Sequence, residues 1–112
     1  MGIQNWSDNI ILVNLAQEPQ LAEELQAATA MANDKGDCDV VVDFADVDMI
    51  TSSSIAKLLK LRKVVVVCDH RLVLSSVKPR VYNVFTVTGL DSVFEFVADQ
   101  FLALAGLQMV SG

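Results

Sequence analysis

Four hydroxyl residues in a row, Thr51-Ser52-Ser53-Ser54, stand directly ahead of Ile55-Ala56-Lys57-Leu58-Leu59. Side-chain hydroxyls do three relevant kinds of chemistry: they cap helices, they attack carbonyls when a base activates them, and they accept phosphate. Nucleophilic attack needs a base and an orienting acid, and His70 and Asp43 complete such a set only on paper, since one histidine anywhere permits that exercise. A backbone oxyanion loop would need glycines near the serines, and the five glycines lie at 2, 36, 89, 106 and 112. The same spacing excludes a glycine-rich phosphate loop. Cys38 and Cys68 form no CxxC pair and lie far from a ligand cluster, so neither zinc nor thiol-redox chemistry is signalled. A Cys38–Cys68 disulfide stays open, but two buried thiols are the expectation for a chain without a secretory leader. No metal and no organic cofactor is expected, and the chain reads as a binding module rather than an enzyme.

The elements that must hold the hydroxyl run follow from patterning. Val40-Val41-Val42 with Phe44 is a β-branched run bounded by aspartates, which suits a strand buried on both faces. Hydroxyl side chains are preferred at helix N-caps, so a helix is predicted to begin near Ser53. At about 100° per residue, Ser53, Lys57, Lys60 and Val64 share one side of it. Ile55, Leu59 and Val66 fall roughly opposite, where core residues belong, although Arg62 falls in the same arc. Residues 64–68 followed by 72–76 read locally as a β-hairpin, because β-branched runs favour strands; continuing the helix through the valines is the competing reading. Earlier, residues 3–6 and 10–15 flank the turn triplet Ser7-Asp8-Asn9 and predict a hairpin. Leu21, Leu25, Ala28 and Ala32 then follow Pro19 at helical spacing, up to Lys35-Gly36-Asp37. Later, Pro79 opens a helix over 81–87 closed by Gly89, residues 93–96 form a last strand, and 99–107 a last helix. Strands alternating with helices imply an α/β layer fold.

Charge and hydropathy bound the partners. The 112 residues carry a net charge of −6 and are 53% hydrophobic, enough for one domain with its own core. Residues 1–56 hold ten acids against Lys35 alone, whereas 57–80 hold seven bases against Asp69. Such asymmetry either steers a partner or reflects two solvated helix faces. Nucleic acid is a poor ligand for this field, because no aromatics interleave with the bases. The longest apolar stretch is about five residues where a membrane span needs roughly 18, so no membrane insertion is expected and the cytoplasm is the default location.

The segment Val41-Val42-Asp43-Phe44, a loop, Met49-Ile50, the hydroxyl run and Ile55-Ala56-Lys57-Leu58-Leu59 resembles the centre of STAS domains, the anti-sigma factor antagonist family. Leu72-Val73-Leu74, Pro79-Arg80-Val81 and the more specific Thr88-Gly89-Leu90-Asp91-Ser92-Val93-Phe94 are similar to that family's later elements. The resemblance covers residues 38–96. It implies one STAS-like α/β domain over 1–112, with a small mixed sheet of four to five strands and about four helices, and it turns residues 64–68 into helix. It also implies an acceptor hydroxyl at Ser53, ahead of Ser52, Thr51 and Ser54. The implied partner is a serine/threonine kinase acting as anti-sigma factor, met by Asp48, Met49, Thr51, Ser52, Ser53, Ser54, Lys57, Lys60 and Val64 and released by phosphorylation. Self-association is a further expectation. The alternative role is a non-phosphorylated STAS subunit or scaffold in a transporter or stress-sensing assembly. Two departures stand out: Thr51 replaces the family's usual Asp, and Ser54 its usual Gly.

Overall fold

The computed structural model describes residues 2–111, with side chains described up to 108. The chain opens with the hairpin β1 (Gly2–Ser7) and β2 (Ile10–Asn14), paired antiparallel with an irregularity between Asn5 and Ser7. It continues through α1 (Gln20–Lys35), β3 (Asp39–Asp43), α2 (Ser52–Val67), β4 (Leu72–Ser75) and α3 (Pro79–Val87). A 3₁₀ turn (Leu90–Ser92), β5 (Glu95–Val97) and α4 (Gln100–Ser111) complete it. The five strands lie in chain order, β1-β2-β3-β4-β5, and from β2 onward every neighbour is parallel. The predicted mixed sheet with four helices is therefore the observed architecture.

Register explains the two faces. Ile11 pairs with Val40 and Val40 with Leu72; Val13 pairs with Val42 and Val42 with Leu74. Side chains alternate along a strand, so this set points one way and joins the apolar faces of α1, α2 and α3 in the larger core. Ile10, Leu12, Val41 and Val73 point the other way and meet Ala103, Leu104 and Leu107 of α4. β3, at the centre, is buried along its whole length, as its valine run predicts for a strand covered on both faces.

Helix α2 runs unbroken through the four valines, so 64–68 is not a strand; packing against α1 and the sheet overrides a β-propensity worth only about 1 kcal/mol. Its buried residues are Ser54, Ile55, Leu58, Leu61 and Val65. This corrects the core arc expected from the wheel: Ile55 is inside, but Leu59 and Val66 are exposed. Arg62 half-buries its stem, and its Nε donates to the Val93 carbonyl at 3.1 Å. The final strand starts at Glu95 rather than Val93, because residues 90–92 form the 3₁₀ turn. Cys38 is buried, but Cys68 is exposed at the C-cap of α2, and both thiols are free. The expectation of two buried thiols thus fails at the position where the chain leaves the helix.

Candidate functional site

The loop from β3 to α2 leaves the sheet at its C-terminal edge, where parallel α/β sheets collect their functional loops. Its base is rigid. Asp43 ends β3, and its carboxylate accepts from the buried Ser75 hydroxyl at 2.8 Å and from the Ala45 amide at 3.3 Å. Phe44 and Val47 then turn inward and are fully buried, while Asp46 and Met49 stay exposed. Ile50 is buried as well, so the loop is pinned to the core on both sides of Asp48-Met49.

Neighbouring loops clamp it from both sides. Lys78, just before α3, donates to Asp48 Oδ1 at 2.6 Å. That bond and the ammonium charge hold the Asp48 carboxyl below the usual carboxylate range. On the other side Glu18, just before α1, accepts from the Thr51 amide at 3.0 Å and from its hydroxyl at 3.2 Å. Thr51 is the N-cap of α2, and its Oγ1 accepts from the Ser54 amide at 3.1 Å. The hydroxyls of Thr51 and Ser54 lie 3.2 Å apart.

The two departures from the family's pattern are therefore each other's partners. Thr51 does the capping an Asp would do, and Glu18 brings a carboxylate to the helix start from a different loop. Ser54 does not have the positive φ that would require glycine, and its Cβ and hydroxyl fit into the interior against Thr51.

These bonds separate the four hydroxyls. Thr51 and Ser54 are engaged, and Ser54 is completely buried, so it presents no surface to a partner. Ser52 and Ser53 are exposed at the first and second positions of α2. Their amides, among the described residues, have no hydrogen-bond partner, as expected for the first turn of a helix. Lys57 and Lys60 follow along α2, with Val64 half-buried beyond them. These three line one wall of an open groove of about 440 Å³, opposite Gln26, Thr29 and Ala30 of α1. Of the residues expected at a partner surface, Met49, Ser52, Ser53 and Lys60 are exposed, Asp48, Thr51, Lys57 and Val64 are partly covered, and Ser54 is inside.

Sequence reasoning missed Glu18 and Lys78. Each lies about 30 residues from the contact it makes, and no local pattern announces it. The only sequence signal was an acid or base beside a proline at a strand-to-helix junction: Glu18-Pro19 and Lys78-Pro79.

A mixed α/β sheet with a hydroxyl-bearing helix start at the C-terminal end of its parallel strands defines a small domain built around a surface loop. Residues 11–102 match the sequence profile of the STAS domain, and the chain belongs to that family. A protein of Bordetella bronchiseptica named as an anti-sigma factor antagonist, BtrV, is 37% identical over 73 residues, 65% of this chain. The match spans 63% of that relative's length. The fold is shared with an RsbS variant of Moorella thermoacetica (TM-score 0.75, 18% identity, 100% of both chains covered). It is also shared with the phosphorylated form of the Bacillus cell fate determinant SpoIIAA (TM-score 0.71, 16% identity, 94% of this chain and 96% of that one).

Proposed function

We propose that this domain is an anti-sigma factor antagonist: it binds a serine/threonine kinase that doubles as anti-sigma factor, and phosphorylation of Ser53 ends the contact. The observation that carries the reading is the division of the hydroxyl run, with Thr51 and Ser54 committed to the cap and Ser52 and Ser53 exposed at the start of α2; the family resemblance selects Ser53 of the two. The similarity to BtrV, named as an anti-sigma factor antagonist, supports an anti-sigma factor as the class of partner.

The helix start tolerates the modification. A phosphate adds about −1.5 to −2 charge at pH 7, and the free amides and positive dipole end of α2 favour an anion there. Glu18 holds a carboxylate at the helix start and Asp48 is paired with Lys78, so a phosphate on Ser53 changes the local charge and adds bulk where a partner must meet the loop. The fold persists and the interface weakens, each ~1.4 kcal/mol of lost contact being tenfold in affinity.

Affinity capture on the immobilised domain, followed by incubation of the captured kinase with ATP and mass spectrometry, tests this. Ser53→Ala is expected to keep the kinase bound and to take up no phosphate, and Ser53→Asp to bind more weakly. Phosphate on Ser52 or Thr51 with Ser53 untouched would move the site. Undiminished affinity after complete modification of Ser53 would remove the switch and leave the scaffold role.

A further inference from the structure

The domain is rich in acids, yet a group of its lysines has no acid to meet. Arg71 pairs with Glu95 and Lys78 with Asp48, but among the described residues Lys57, Lys60 and Lys63 of α2 make no ion pair. With 14 acids against eight bases, carboxylates are in surplus. The α1 wall facing Lys57 and Lys60 nevertheless offers the neutral Gln26, Thr29 and Ala30. Glu23, a turn before Gln26, forms no ion pair with the lysines. The groove between the helices is thus cationic on one wall, neutral on the other, and apolar at Ala30 and Val64.

Its shape suits a segment rather than an enclosed ligand. Lys57 to Val64 spans two helical turns, about 10 Å of rise. The groove is open to solvent, with Gln26 and Lys60 exposed on its rim and Thr29 and Lys57 partly buried. An amphipathic helix laid between two helices is an established way for such a surface to be read, with apolar side chains in the groove and charges on its edge. The domain's net charge of −6 repels an acidic chain at a distance. Screening confines that repulsion to roughly 10 Å, so the two lysines can attract an acidic segment locally.

We propose that the α1–α2 groove receives an acidic amphipathic helical segment of a partner protein, its carboxylates on Lys57 and Lys60 and its apolar side on Ala30 and Val64. This deepens the functional reading above and rests on it for the partner's identity: Lys57 lies one turn beyond Ser53, so the groove extends the surface that begins at the helix start.

The test uses a synthetic helical peptide with Glu on one side and Leu on the other, titrated into isotope-labelled domain. Saturable amide shifts at Gln26, Thr29, Ala30, Lys57, Lys60 and Val64 are expected. Binding should weaken about tenfold or more in the Lys57→Glu/Lys60→Glu variant, the scale of losing charge-complementary contacts. Lys63→Glu, the same charge change outside the groove, should cost far less. The proposal is overturned if no saturable shifts occur at these amides, or if a Lys-for-Glu peptide binds as well. It is equally overturned if inorganic phosphate alone reproduces the shifts, or if Lys63→Glu weakens binding as much as the double variant. No kinase or ATP enters this test, so its failure would remove the groove and leave the Ser53 switch standing. Failure of the kinase experiment would leave peptide binding intact.

Discussion

Thr51 carries more of the site's geometry than the serines that follow it. It caps α2 at Ser54 and fastens the loop to Glu18 through both its amide and its hydroxyl. Thr51→Ala removes the cap and one of the Glu18 bonds, and a loss of about 1–2 kcal/mol is expected in urea unfolding. Thr51→Ser keeps the oxygen and should recover most of it. At the opposite edge of the sheet, His70 joins two loops: Nε2 lies 2.6 Å from Asp37 and Nδ1 3.1 Å from Asp39, and Asp39 also accepts from the Arg71 amide at 2.8 Å. Partial burial pulls the His70 pKa down, but hydrogen bonds and charge from both aspartates outweigh it and raise it above 6.5. A raised folded pKa means that this stabilisation is complete below the unfolded value near 6.5 and disappears as pH climbs through the folded value. Unfolding measured across neutral pH should therefore show stability falling through that window, and His70→Gln should flatten the fall.

Helix α2 shows what a linear pattern can and cannot carry. Its start was legible, because hydroxyls at a cap position have a local physical reason to be there. Its continuation through Val64, Val65, Val66 and Val67 was not legible from propensity, which favoured a hairpin; only the family resemblance gave the helix. The wheel placed Lys57, Lys60 and Val64 together correctly and Leu59 and Val66 wrongly, because the buried stripe is set by α1 and the sheet, neither of which a wheel contains. The hairpin, β3 and α3 were all legible from turn residues, valine runs and a proline at the first helical position. The clamps on the site loop were not, since they depend on strand order. Leu61 and Val67 make the contrast testable: Val67, 76% exposed, has no packing to lose, so Val67→Ala should raise stability by a few tenths of a kcal/mol through helix propensity. Leu61→Ala, in the buried stripe, should cost about 2–5 kcal/mol by denaturant titration.

At the scale of the molecule the two sheet faces are unequally covered. Three helices share one face, and α4 supplies Ala103, Leu104 and Leu107 to the other. Leu107→Ala is expected to destabilise by about 2–5 kcal/mol, whereas Phe101→Ala, on the solvent side of the same helix, should stay within about 0.5 kcal/mol. Calorimetry of the two variants checks the pair. Strand order has a further consequence, for the life of the chain before it is finished. Because spatial order equals chain order, each strand leaving the ribosome finds its neighbour already made, and the sheet can grow at one edge as synthesis proceeds. The covering of Ile10, Leu12, Val41 and Val73 must wait, since α4 follows all five strands; until then the nascent domain displays an oily face suited to chaperones.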